Sequence, residues 1–273
     1  MNSRRRLLLA LVLVIGLLPA LAAGCARQRQ QGGASVTLAG STSVQPFAEM
    51  LAEEYGKEYP DRPAVNVQGG GSSAGARAAL SGAAQVGMMS RDLAPSENEL
   101  TPIVIAHDAI ALVVHPSNPI EGLTKQQIKM IFSGEATDWG QVGGPPGRIN
   151  VVSREEGSGT RGAFDELVME EASVLARAVV QDSNGAVRET VAGDKAGIGY
   201  VSLGLVDDRV KALPVGGVAP TLENARAGAY TLVRPFLFVY KGQIDAHAKD
   251  FVDFVTGEEG RRILSAEGLV TGE

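Results

Sequence analysis

Short apolar runs alternate with helical patterns along most of the chain. The run "SVTLA" (35–39) leads into "VQPFAEMLAEEYGKEY", where Val44, Phe47, Leu51 and Tyr55 recur on one helical face. In the same way "AVNVQ" (64–68) precedes "GGGSSAGARAALSG", and "QVGMM" (85–89) precedes "SRDLAPSENEL". Strand, Gly/Ser turn, helix is the layout of a parallel sheet and predicts an α/β protein. Two apolar strands follow, "PIVIA" and "AIALVVH", up to the break "PSNP" at 116–119.

A well-marked helix opens the second stretch. Thr124 followed by Gln127 forms a capping box, Ile128, Ile131 and Phe132 supply the apolar face, and Gly134 ends it. "RINVVS" (148–153), "ARAVVQ" (176–181) and "AGIGYVSLG" (196–204) predict strands, with helices after "EEGSGT" and "DSNG". A strand over "YTLVRPFLFVYKG" (230–242) and one or two closing helices complete the chain. Boundaries near 114 and 230 define an outer lobe, 35–114 plus 230–273, and an inserted lobe, 115–229. Two crossings between lobes make a hinge.

The N-terminus follows another logic. Arg4, Arg5 and Arg6 precede an apolar run from Leu7 to Leu21, as in an export signal over 1–24. A membrane anchor is the competing reading, but Pro19 and "LAAGC" put a processing site where a span would continue. "LAAGC" resembles a bacterial lipobox, which implies cleavage after Gly24 and a lipid on Cys25, the chain's one cysteine. The polar stretch from 25 to 34 reads as a tether to the membrane. Cleavage removes three arginines and no acid, taking the formal charge from −6 to −9. That balance, with no basic patch, argues against nucleic acid as a partner. At 44% hydrophobic residues the chain can bury a substantial core.

Three strand-to-helix junctions carry one chemistry: "AGSTS" (39–43), "GGGSSAG" (69–75) and "EEGSGTRG" (155–162). The first N–H groups of a helix lack internal partners and sit at the positive end of its dipole. Glycine admits a ligand close to the backbone, and Ser and Thr add hydroxyl donors. Such a turn is a neutral anion cradle. Ordinary N-capping explains any one of them; three together, two followed by an arginine, point to a shared oxyanion. Arg154, Arg161 and Arg91 are the candidate cations, of which Arg154, closing the strand "INVVS", suits two oxygens of a tetrahedral anion. Glu155 and Glu156 stand ready to hold its guanidinium, and a surface or inter-element salt bridge is the alternative for Arg91 and Arg161. Hydrogen phosphate carries a proton and sulfate does not, so a buried carboxylate would tell them apart. Asp108, in "AHDAIALVV", and Glu156 are the candidates, although Asp108 also suits a turn or cap.

Taken in order, "GSTSVQPFAE", "GGGSSAG", "MMSRDL", "HDAIALVVHPSNP", "VVSREEGSGTRGAF", "SNGAVRETV" and "GIGYVSLG" resemble the phosphate-binding proteins of bacterial phosphate ABC importers. The resemblance extends over residues 36 to 268. It implies a type II periplasmic-binding-protein fold, two α/β domains joined by a hinge with the ligand cleft between them. It also implies phosphate contacts from Thr42, Ser43, Ser72, Arg154, Glu156, Ser158, Gly159 and Thr160. Ser90 and Arg91 stand where some members carry an aspartate ligand; Asp108 is the replacement candidate, with Arg91 orienting it. The implied protein is a monomer without cofactors, lipid-anchored on the outer side of the cell membrane. It would hand inorganic phosphate to the permease and ATPase subunits of an importer.

Two rivals remain. "GSSAG", Gly71 to Gly75, matches a nucleophile elbow and would make Ser73 the attacking group of a serine hydrolase. Its partner would have to be His107, His115 or His247, none in a loop setting suited to a base. The other rival is a receptor for a different oxyanion such as sulfate or molybdate. Three scattered histidines and one cysteine give no metal-ligand spacing.

Overall fold

The computed structural model describes residues 35–272, and the expected signal, Cys25 and the expected tether lie outside them. Its strands are β1 (Val36–Gly40), β2 (Val65–Gly69), β3 (Val86–Met89), β4 (Leu100–Val114), β5 (Asn150–Arg154), β6 (Val179–Gln181), β7 (Gly197–Ser202), β8 (Lys211–Leu213) and β9 (Val233–Lys241). Helices α1 (Gln45–Glu58) and α2 (Ser72–Ser81) follow β1 and β2, and α3 (Lys125–Ser133) follows β4. Next come α4 (Gly159–Phe164) after β5, α5 (Asn184–Ala192) after β6 and α6 (Leu222–Arg226) after β8; α7 (Ala246–Thr256) and α8 (Glu258–Ala266) close the chain. Among the described residues no helix is long and apolar enough to cross a membrane.

The strands run in the order β2-β1-β3-β9-β4-β7-β5-β6, with β8 on β4. The sheet is mixed: β1 pairs β2 and β3 in parallel, β5 pairs β6 and β7 in parallel, and β4 and β9 pair antiparallel with their neighbours. The parallel layout read from the sequence therefore holds within each end and fails at the middle. There two long strands return through the molecule, which a βαβ pattern does not disclose.

β4 carries the division of the core. The two strands expected over 102–115 are one strand of 15 residues, Leu100–Val114, with an irregularity between Val104 and Ala106. Leu100 to Ala109 pair with β9, and Ile110 to Val114 with β7. Ile105, Ala106, Phe236 and Phe238 pack with α1, α7 and α8, whereas Ala109, Ile110, Leu112 and Leu232 pack with α3, α4 and β7. Residues 110–114, expected in the outer lobe, pack instead with α3, α4 and β7 or with α5 of the inserted one; both crossings run inside strands, where no loop marks them.

Local signals account for most helices. α1 starts with a proline in its first turn and buries Phe47, Ala48, Leu51 and Tyr55, an i, i+4 stripe against the sheet. In α3, Thr124 Oγ1 accepts the Gln127 N–H at 3.2 Å, Gln127 Oε1 accepts the Thr124 N–H at 2.8 Å, and Gly134 takes the left-handed conformation. Thr124→Ala should cost about 1 kcal/mol. A thermal melt lowered by about 2–4 °C would register it, and an unchanged melt would deny the cap its role. The helix expected over "SRDLAPSENEL" is only a 3₁₀ turn, Pro95–Glu97. Pro95 lacks a donor, and Glu97 is drawn into two bonds with Arg91.

Candidate anion site

The three Gly/Ser turns meet. Thr42 and Ser43 stand between β1 and α1, Ser72 begins α2, and Gly159 and Thr160 begin α4. Ser43, Ser72, Ser158 and Thr160 are each buried to within a few per cent. Ser43 Oγ lies 2.8 Å from Thr160 Oγ1, and Ser72 Oγ accepts the Ser90 N–H at 3.1 Å. A Cβ on Gly159 would stand 2.0 Å from Ser72 Oγ and 2.4 Å from Ser90 Oγ, so only glycine admits this approach. The Ser73 N–H also donates to the Gly157 carbonyl at 3.1 Å, backbone against backbone.

Arg154, at the end of β5, is 1% exposed. Its Nε donates to Glu155 Oε2 at 3.0 Å and to the Gln181 carbonyl at 3.1 Å. Nη2 reaches Thr42 Oγ1 at 3.2 Å, Glu155 Oε1 at 3.0 Å and the Asp182 carbonyl at 3.0 Å. Nη1 is buried with no partner. A buried guanidinium nitrogen without an acceptor is costly, and this one belongs to the guanidinium whose other terminal nitrogen meets the threonine hydroxyl of the first turn. The strand end is braced from behind. Tyr200 stacks on Phe164 with ring centroids 4.1 Å apart, its hydroxyl lies 2.8 Å from Ser153 Oγ, and it accepts the Arg154 N–H at 3.3 Å. Burial pushes the Tyr200 phenol up to about 12, so it stays a neutral hydroxyl.

Some expected residues sit elsewhere. Glu156 is exposed, and Glu155 is the carboxylate that clamps Arg154, because the turn folds it back onto its neighbour. Ser158 Oγ caps α4 by accepting the Arg161 N–H at 3.2 Å. Arg161 pairs with Asp165 one helical turn on. Arg91 does not orient Asp108. It forms a bidentate pair with Glu97, both bonds 2.8 Å, and its Nη2 reaches Ser73 Oγ at 3.2 Å. Ser73, the elbow serine, therefore faces a guanidinium; His107 and His247 are exposed, and His115 bonds Ser117.

Asp108 is buried and not a turn residue. It lies in β4 directly opposite Arg234 of β9. Its Oδ2 accepts from Arg234 Nε at 3.1 Å and Nη2 at 2.8 Å, and its Oδ1 accepts from the Ser202 hydroxyl at 2.9 Å. Burial pushes the Asp108 carboxyl up, with Arg234 and then Ser202 acting against it. Arg234 Nη2 also donates to Ser43 Oγ at 3.1 Å, and Asn184 Nδ2 donates to the same oxygen at 2.9 Å. Sequence reading passed over Arg234, Asn184 and Ser41. The available signal was a lone arginine in the apolar strand "YTLVRPFLFVY" and a lone aspartate in "AHDAIALVV", two charges that a buried sheet tolerates only as a pair.

Two α/β cores joined by long strands, with polar turns meeting between them, define a two-lobed solute-binding fold. Residues 26–259 match the model of the PBP superfamily domain. The phosphate-binding protein PstS of Bacillus subtilis (strain 168) is 30% identical over 90% of this chain and 83% of its own. The chain belongs to this family of phosphate-binding proteins within the PBP superfamily. Among solved structures, a putative phosphate ABC transporter substrate-binding protein with bound phosphate from Clostridium perfringens is 41% identical with a TM-score of 0.85, covering 88% of this chain and 100% of that one. An ABC-type phosphate transport receptor from Vibrio cholerae is 36% identical with a TM-score of 0.73, covering 87% of this chain and 100% of that one.

Proposed function

We propose that the chain is an extracytoplasmic receptor that holds inorganic phosphate between its lobes and delivers it to the permease and ATPase of an ABC importer. The observation that carries this reading is the buried, unpartnered Nη1 of Arg154, whose Nη2 meets the Thr42 hydroxyl, in a cleft where Ser43 also meets Thr160. A tetrahedral anion supplies the acceptor that this nitrogen lacks. Charge-assisted bonds of that kind contribute about 1.5–3 kcal/mol each. Thr42, Ser43, Ser72 and Ser90 come from one side of the cleft, and Arg154, Gly159 and Thr160 from the other, so the anion joins the two lobes. The lobes turn about the β4 and β9 crossings. Donors fixed by the fold act locally, so a net charge of −6, or −9 once residues 1–24 are removed, opposes capture only weakly at physiological salt. The relatives named above, phosphate-binding and phosphate transport proteins, support binding without turnover.

A melting-temperature screen of the purified chain tests the reading. Phosphate is expected to raise the transition by mass action and a neutral sugar to leave it unmoved; a chain indifferent to phosphate at millimolar concentration would sink the assignment. Cys25 is the proposed lipid attachment. Cys25→Ser is expected to shift the protein from the membrane fraction to the soluble extracytoplasmic one, and retention of the variant in membranes would contradict the anchor.

A further inference from the structure

At the end of β5 far from Arg154 lies a second cavity. It encloses about 330 Å³ between the segments 117–119, 139–148 and 195–196, near the lower limit for small-molecule sites. Trp139, Pro119, Pro145 and Pro146 give it apolar walls, and Arg148 and Lys195 are its charged lining. β5 itself runs about 13 Å from Asn150 to Arg154, so this cavity stands apart from the anion turns.

Hydrogen bonds within the chain fix its walls. The Trp139 N–H donates to the Gly147 carbonyl at 2.7 Å and the Gly144 N–H to the Trp139 carbonyl at 2.9 Å, which closes the loop that bears the two adjacent prolines. In the 117–120 segment Asn118 Oδ1 accepts the Ile120 N–H at 3.0 Å, and Lys211 Nζ donates to the Ile120 carbonyl at 2.7 Å and to that of Asn118.

Three donors of the lining are left over. Trp139 is 5% exposed, yet its Nε1 has no acceptor, whereas a buried indole N–H usually finds one. Arg148 and Lys195 are exposed, and neither side chain makes an ion pair or hydrogen bond among the described residues. By contrast Arg91, Arg154, Arg161 and Arg234 each hold a carboxylate. No acidic residue lines the cavity. The acids next in sequence are committed to N–H groups, Asp138 to those of Gly140 and Gly147, and Asp194 to those of Asn150 and Ala196. On a chain of net charge −6, an apolar cavity with three unpartnered donors, two of them cationic, complements an apolar anion.

We propose that this cavity is a second ligand site, which takes a small aromatic carboxylate. The ring lies against Trp139 and the prolines, whose flat faces suit it, and the carboxylate meets Arg148 and Lys195. An inorganic anion has no apolar part to bury here, and a neutral aromatic leaves both cations to water. The site shares no residue with the phosphate reading and does not depend on it.

Trp139 is the chain's one tryptophan, so its emission reports on this cavity. Titration of the full chain with phenylacetate, phenylacetamide and acetate, followed by that emission, tests the proposal. Phenylacetate should shift the emission saturably at millimolar concentration or below, the amide should bind at least about tenfold more weakly, and acetate should have no effect. Saturating phosphate should leave the phenylacetate titration unchanged. Arg148→Gln combined with Lys195→Gln should lower phenylacetate affinity about tenfold and erase the preference over the amide. Both side chains are exposed, so melting temperature and phosphate affinity should stay as they were. Emission unmoved by about 10 mM phenylacetate, an amide that binds as well as the acid, or a preference kept by the double variant overturns the proposal. So does displacement of phenylacetate by phosphate, which would put the probe in the cleft between the lobes. Vesicles rich in anionic lipid that move the emission where phenylacetate does not would give this face to a membrane instead and overturn it too. Failure of phosphate itself to bind sinks the receptor reading and leaves this site untouched.

Discussion

Arg154→Ala is expected to weaken phosphate binding by on the order of a thousandfold, about 3–5 kcal/mol. The substitution removes the buried, unpartnered guanidinium nitrogen at the cleft and leaves Glu155 without its cation at the same place. Folding should suffer less. The Gln181 and Asp182 carbonyls that Arg154 ties down lie on partly exposed chain, where water takes over the lost bonds. Arg154→Lys keeps the charge but not the fork, so an intermediate loss is expected. Calorimetry decides, and undiminished affinity in the alanine variant would refute the role given to Arg154.

Gly159→Ala is expected to abolish binding through shape alone. Its new methyl group would lie 2.0 Å from Ser72 Oγ and 2.4 Å from Ser90 Oγ, both on the opposite side of the cleft. Turning those hydroxyls away would break the bond from the Ser90 N–H to Ser72 Oγ and still leave Ser72 Cβ 3.0 Å from the new methyl group, so the lobes are expected to stay apart. Alanine is the better helix former by about 1 kcal/mol, and Gly159 is the first residue of α4. The ligand-free melting temperature should therefore hold or rise slightly while phosphate affinity falls by at least about a hundredfold, near 3 kcal/mol. Small-angle scattering should show no compaction on adding phosphate. A variant that still binds and compacts would mean that the turns do not close on one another as described.

The two substitutions separate what was legible in the chain from what was not. Arg154 and the Gly-Ser-Gly-Thr turn after it could be read because their chemistry is local: a strand end, a glycine and a capping serine lie within a few residues. The clamp on Arg154 was half readable, since either of two adjacent glutamates could turn inward, and the backbone chose Glu155 and sent Glu156 to solvent. Arg91 followed the nearer acid, Glu97, and not Asp108. The β4–β9 register opposes Asp108 and Arg234, 126 residues apart. No sequence window spans that distance, and the resemblance to a family did not contain the pair.

From the chain alone come the α/β alternation, the capped helices and the three donor turns, because each depends on contacts within one turn or one strand. Which turns face one another and which acid meets which arginine were decided by tertiary structure. Those outcomes depend on strand register and on the packing of two cores, and a shift of one residue in β4 would turn Asp108 to the other face of the sheet.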